Sequence, residues 1–356
     1  VRNGRDGGSR RIAVPARRPG RPSPGGPVNT SNAPWGAKRL PGSFAAWQAS
    51  ARRAVFVARL PRSTHLADRR SIDALSLAPA PAPPSASPGP QRARGELRLA
   101  FEAKSGGARL IEAYQSGCLH ARLPRVHAGE SPCAVLINTG GGVTGGDRLT
   151  QSIRWGAGAC AAVATQAAEK IYRSTGEDAD ISTRIAVAAG AHAEWLPQEA
   201  ILFDRARLSR RMEVDLDEGA DFLGVEAVIL GRSAMGETVR EAALRDSWRI
   251  RRGGRLVYAD IQKLDGPVDR LMDRAALGAG ARAMAVIVHA STRAAALLEA
   301  VRGALEGAAG RAAASSWNGL LVARFLAPDG QTLRHDLIPA LAALRGGRAL
   351  PRVWSC

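Results

Sequence analysis

From Gly95 onward the chain places apolar residues at alternate positions, in short runs that glycines separate. Leu97, Leu99 and Phe101 alternate with Glu96, Arg98 and Glu102, while Ile181, Thr183, Ile185 and Val187 share one parity. Leu208, Met212, Val214 and Leu216 repeat the pattern. A period of two marks strands with one buried face and argues against a helical body. Phe222 to Leu230 is a fuller apolar run, and Trp248, Ile250, Leu256 and Tyr258 flank Gly253-Gly254 as arms of a hairpin. Helical spacing is confined to two late stretches, Thr292 to Leu305 and Asp336 to Leu344, with Asp336 placed to cap the second. Residues 166–172 carry helix formers and predict a helical turn. Asp329-Gly330 predicts a turn. The sum is a mainly β body with about two helices in its C-terminal part. Sandwich, barrel and β-solenoid all stay open at this level.

Charge is unevenly distributed. The formal balance over 356 residues is +18, yet residues 1–95 hold 17 Lys/Arg against three acids, leaving +4 for the rest. Residues 1–95 are rich in Arg, Pro and Ala, and such a composition buries too little apolar surface to offset chain entropy. They are expected to form a disordered basic extension, with residues 96–356 as the folded domain. A nucleic-acid-binding arm is the alternative role for such a tail; the near-neutral body calls for no nucleic acid. Cys118, Cys133, Cys160 and Cys356 are too widely spread for a disulfide framework. Cys118-x-His120, with His127 further on, lacks the second half of a zinc set. No apolar run approaches the ~20 residues of a membrane span, and the basic start has no apolar core of a signal peptide. A cytoplasmic protein without a membrane partner is expected.

Residues 138–147 read Asn-Thr-Gly-Gly-Gly-Val-Thr-Gly-Gly-Asp. Gly140, Gly142 and Gly145 satisfy G-x-G-x-x-G, which raises a dinucleotide-binding enzyme as a further alternative. That fingerprint requires a helix after the glycines, whereas Leu149, Ile153 and Trp155 continue in strand spacing. The glycines therefore read as a tight connection between strands. Asp147 either braces that loop or faces a ligand. Gly231 to Gly236 misses a serine nucleophile elbow by one residue. With no nucleophile, base and orienting group placed together, the chain reads as a binding or scaffold protein and not an enzyme. His192 and Glu194 lie two apart on a predicted strand and so point to one face. Glu199 and Asp204 follow Pro197. One imidazole among several carboxylates suits a weak, exchangeable site for a borderline divalent ion such as nickel.

Four segments taken in order resemble the urease accessory protein family UreD, called UreH in some systems. They are Asn138 to Asp147, Thr165-Gln-Ala-Ala-Glu-Lys-Ile-Tyr172, Glu194-Trp-Leu-Pro-Gln-Glu-Ala-Ile-Leu-Phe-Asp204 and Gly231-Arg-Ser-Ala-Met-Gly-Glu237, and Leu350-Pro-Arg-Val-Trp354 is similar to the family's ending. The resemblance covers about residues 95–356. It implies a many-stranded fold of β-helical character with a pair of helices. It also implies a nickel metallochaperone scaffold without catalysis or a permanent cofactor, carrying Ni2+ only in transit. The implied partners are UreF, the GTPase UreG recruited through UreF, and apo-urease. A water-filled passage is the family's proposed nickel route, and the matched motifs would line it with Asp147, Glu169, Glu194, Glu199 and Asp204. His192 joins that set from strand geometry alone.

Overall fold

The computed structural model describes residues 91–355 except 106 and 126–129. Residues 1–90 of the expected extension, with His127 and Cys356, lie outside the described residues. Strand pairing begins at Arg94, two residues before the expected start of the folded domain at residue 96.

Two sheets contain the strands. The seven-stranded sheet comprises β1 (Arg94–Lys104), β2 (Gly107–Gly117), β5 (Arg148–Trp155), β8 (Ala179–Val187), β11 (Arg207–Leu216), β13 (Ala242–Arg252) and β14 (Arg255–Gly266). Its order is β14-β13-β11-β8-β5-β1-β2. The ten-stranded sheet comprises β3 (Leu119–Arg122), β4 (Cys133–Asn138), β6 (Cys160–Thr165), β7 (Glu169–Ile171), β9 (His192–Leu196), β10 (Ala200–Leu202), β12 (Asp221–Leu230), β15 (Ala283–Ala290), β16 (Arg311–Trp317) and β17 (Leu320–Ala327). Its main path is β16-β17-β15-β12-β9-β6-β4-β3, with β10 joining β7 to β12. From β4 to β13 the chain passes back and forth between the sheets, and each return lays a strand parallel to its predecessor. The result is a β-solenoid of stacked coils.

The corners leading from the seven-stranded to the ten-stranded sheet repeat. Gly158-Ala159, Gly190-Ala191 and Gly219-Ala220 each put a glycine at φ +68° to +74° followed by a fully buried alanine. In each the alanine N–H donates to the carbonyl three residues back. Glycine occupies this left-handed position without steric cost.

Alternation decides what is buried. Leu97, Leu149, Ile185, Val214 and Ile250 project inward from one sheet, meeting Trp195, Phe222, Val228 and Val286 from the other. Strand β12 is buried along nearly its whole length because both its faces are covered. Phe222, Val228 and Leu230 enter the core between the sheets. Leu223, Val225, Ala227 and Ile229 enter a second core beneath the helices.

Three α-helices occur among the described residues: α1 (Val268–Asp273), α2 (Leu298–Leu305) and α3 (Gly330–Leu344). Only two had been expected. Helix α1 is six residues long and sends Val268 and Met272 into the first core, too short a segment to establish a helical period. Residues 166–172 are not a helical turn, because Glu169–Ile171 is recruited as β7 by parallel pairing with β10. Helix α3 starts earlier than expected and is capped by Asp329, whose carboxylate accepts from the Thr332 N–H at 2.8 Å. Asp336 caps nothing; it is buried in mid-helix and accepts from the N–H groups of Ala309 and Gly310. Helix α2 is entered through a 3₁₀ turn over Ala295–Leu297. No helix of the described residues is long and apolar enough to cross a membrane.

Candidate functional site

The corners leading back to the seven-stranded sheet stack upon one another, and all four sequence motifs contribute. The Val143 N–H donates to Lys170 O, and Tyr172 N–H returns to Val143 O, each at 2.8 Å. Phe203 N–H reaches Ile171 O, and Gly231 N–H reaches Leu202 O. Close stacking explains the glycines: a Cβ on Gly142 would stand 2.7 Å from Lys170 O, and one on Gly145 within steric conflict of Ser174 and Glu177. Asp147 is buried and its carboxylate accepts from Ala93 N–H at 2.7 Å and Thr144 N–H at 2.8 Å. It braces the loop. Asp204 does the same two corners further along, accepting from the N–H groups of Arg240 and Glu241. Outside this ladder Tyr172 stacks edge-on against Phe203, and the Arg232 guanidinium lies 4.1 Å from the Phe203 ring.

Glu169 sits at the base of the stack. Asn138 donates to it at 3.0 Å, but burial dominates and pushes its carboxyl up to about 7. Its N–H donates to Glu199 O at 2.9 Å, so these two candidates are backbone neighbours. The Glu199 carboxylate lies 3.5 Å from Arg334.

His192 and Glu194 form a second centre on the far face of the ten-stranded sheet. Register places Cys160, His192 and Asp221 side by side on three successive strands. His192 Nε2 lies 3.2 Å from Glu194 Oε1, and its Nδ1 lies 3.7 Å from Asp221. Burial pulls the imidazole down, and hydrogen bonds with Asp221 and Glu194 outweigh that and raise it. Glu194 is 1 % exposed and receives two guanidinium groups, Arg345 at 2.9 Å and Arg348 at 3.1 Å. Burial would raise its carboxyl; hydrogen bonds from His192 and Arg345 prevail and hold it at about 2. Residues 345–354 thus strap this face, and Trp354 Nε1 donates to Leu196 O at 3.0 Å while Arg334 donates to Trp354 O. On β15, near Asp221 and His192, wholly buried His289 has no hydrogen-bond partner on either ring nitrogen among the described residues, and burial lowers it to about 4.

A third centre lies between the sheets, where periodicity predicted only apolar residues. Arg210 on β11 donates to Asp246 on β13 through Nε at 3.1 Å and Nη2 at 2.6 Å. Its Nη1 meets Glu226 on β12, and Trp195 Nε1 donates to Glu226 at 2.9 Å. Two carboxylates therefore share one buried cation. Burial pushes Glu226 up to about 7. At the open edge of the sandwich, Arg324 donates to Asp260 at 2.8 Å and the Tyr258 hydroxyl to Asp260 at 3.2 Å. Sequence reasoning missed Arg210, Glu226 and Asp246. The available signal was a charge at an inward parity, as in Leu208-x-Arg210-x-Met212 and Leu244-x-Asp246-x-Trp248.

The structure brings His192 together with Glu194, and Glu169 with the backbone of Glu199. Asp147 and Asp204 stand apart, with the Tyr172 corner stacked between theirs. Among the described residues no three His, Cys, Asp or Glu side chains converge as a ready ligand set.

Fold and site together define a β-solenoid scaffold whose charged groups are held between and behind its sheets. The family model described as UreD urease accessory protein matches residues 93–355. The urease accessory protein UreD of Rhizobium rhizogenes is 49% identical over 271 residues, covering 76% of this chain and 98% of that protein. Its counterpart from Chelativorans sp. is 50% identical over 271 residues, with 76% and 97% covered. The chain belongs to the UreD family of urease accessory proteins.

Proposed function

We propose that the chain is the scaffold through which nickel reaches apo-urease, holding UreF and, through UreF, the GTPase UreG against their target. The observation that carries this reading is the acidic centre inside the solenoid. Asp246 and Glu226 are two carboxylates on a single guanidinium, with Asp260, Tyr258 and Arg324 at the nearby open edge. A lone pair of buried carboxylates on one cation leaves negative charge uncompensated, which costs several kcal/mol unless a further cation or a proton shares it. A divalent ion in transit would supply that charge. Weak successive stations, rather than one closed set, favour both entry and release.

Glu169, Glu194 and His192 are further stations in this reading, with Asp147, Glu199 and Asp204 bracing the loops and strands that present them. Nickel is cargo here, and GTP hydrolysis belongs to UreG, so the chain supplies no catalytic group of its own. The cytoplasm is the compartment in which these partners would meet. The full-length chain is expected to co-purify with UreF, with UreG only when UreF is present, and with apo-urease. Urease that gains nickel equally well in cells lacking the chain would sink the proposal.

A further inference from the structure

The outward face of the seven-stranded sheet is not covered by any described element. The ten-stranded sheet differs, since it is covered on one side by the core between the sheets and on the other by the helices. The outward side chains of the seven-stranded sheet are mostly charged or hydroxylic, and arginine dominates the cations. One row across the strands runs Arg94, Arg148, Asp180, Ser209, Arg245 and Lys263. The next rows place Arg184 beside Glu213 and Arg249, and Asp215 beside Arg251.

Two features leave arginines of this face available to a ligand. Arg94, Arg148, Arg245 and Arg249 have no ion pair among the described residues. Of the pairs that do form, Arg207–Asp178 is close at 2.8 Å, while three are loose: Arg184–Glu213 at 3.7 Å, Arg211–Asp180 at 3.9 Å and Arg251–Asp215 at 4.0 Å. A well-made guanidinium–carboxylate bond is about 2.7–2.9 Å, so the donors of these three are largely unspent. Seven strands about 4.8 Å apart, each at least eight residues long at about 3.3 Å per residue, give a platform on the order of 750 Å². That is close to the roughly 800 Å² per partner of a stable interface.

We propose that this face docks a protein surface rich in carboxylates, presented by the urease apoprotein; the choice of apoprotein rests on the function proposed above. Arginine suits such a surface because its planar fork grips carboxylates in pairs and is enriched at interfaces. A nucleic acid fits less well, since Asp180, Glu213 and Asp215 interrupt the basic rows and would repel a phosphate backbone.

The test uses the full-length chain, cognate apo-urease and a 30-base-pair DNA duplex as probes. Arg148→Glu, Arg245→Glu and Arg249→Glu are combined in one variant, with Arg→Gln at the same positions as a milder second. These side chains are solvent-facing, so both variants should melt within about 2 °C of the parent. The charge-reversed variant is expected to bind apo-urease at least tenfold more weakly, and the glutamine variant to fall between it and the parent. Parental affinity should drop as NaCl rises from 50 to 300 mM. Undiminished urease binding by either folded variant overturns the docking face while leaving the accessory role intact. A parent chain that binds neither UreF nor apo-urease overturns both. Tighter binding to the duplex than to apo-urease, lost in the same variants, assigns the face to nucleic acid instead.

Discussion

Asp147 and Glu226 show how differently a buried carboxylate behaves according to what it meets. Asp147 accepts two backbone N–H groups and carries a structural duty. Replacing it with alanine strands two donors, at about 1–3 kcal/mol for each that water does not reach. Urea unfolding of Asp147→Ala should therefore show a loss of about 2 kcal/mol or more, and an unchanged midpoint would remove its bracing role. Glu226 instead has its folded pKa raised to about 7 by burial, above the ordinary carboxylate value near 4.5. Its sign is opposite to that of Glu194, which is held at about 2 and stabilises above the unfolded value, losing that contribution as pH falls. A raised carboxylate contributes its stability below pH 4.5 and loses it as pH rises through 7. Glu226→Gln keeps an oxygen for Trp195 and removes the ionisation. The variant should match the parent at pH 5 and be more stable at pH 8, by about 1 kcal/mol or more since each pKa unit is worth about 1.4 kcal/mol. Equal stability at pH 8 would show that Arg210 fully compensates the charge.

At the scale of elements, strand parity was the readable quantity. It located β1, β8, β11, β12 and the β13–β14 hairpin, because each has at least one face set by burial. It could not locate β7, whose three residues are strand only through pairing with β10, nor α1, which is shorter than two helical turns. Parity left the solenoid undecided; its mark, seen once the structure was known, is the corner Gly158-Ala159, Gly190-Ala191 and Gly219-Ala220, recurring about once per coil. Those corners differ from the glycine motif in what they demand. Gly190 needs only its positive φ, since a Cβ there meets nothing nearer than 4.0 Å. Gly142 has both a positive φ and a neighbouring corner in the way. Gly190→Ala should cost about 1–2 kcal/mol, the penalty of left-handed backbone, and Gly142→Ala distinctly more. Thermal unfolding of the two variants ranks them, and the reverse order would contradict close corner stacking. Of the candidate site, the pairing of His192 with Glu194 followed from strand geometry. Their arginine partners could not, because Arg345 and Arg348 lie about 150 residues away in sequence and reach them only through the strap.

On the scale of the whole molecule, the solenoid supplies three distinct faces from one short repeat. Its interior holds an acidic centre, its helix-covered side is sealed by the C-terminal strap, and its open sheet presents arginines. This division suits an accessory protein that meets partners on its outside while keeping a charged cluster within an otherwise apolar core. In the proposed role, the interior carboxylates serve the metal and not the fold. Glu226→Gln combined with Asp246→Asn tests it, since both retain the shape and the hydrogen-bonding oxygens around Arg210. The measurement is nickel per urease active site, by elemental analysis of urease matured with the parent or variant chain together with UreF and UreG. The complex is expected to stay intact and the nickel content to fall at least several-fold. Full nickel loading by the double variant would contradict the proposed role.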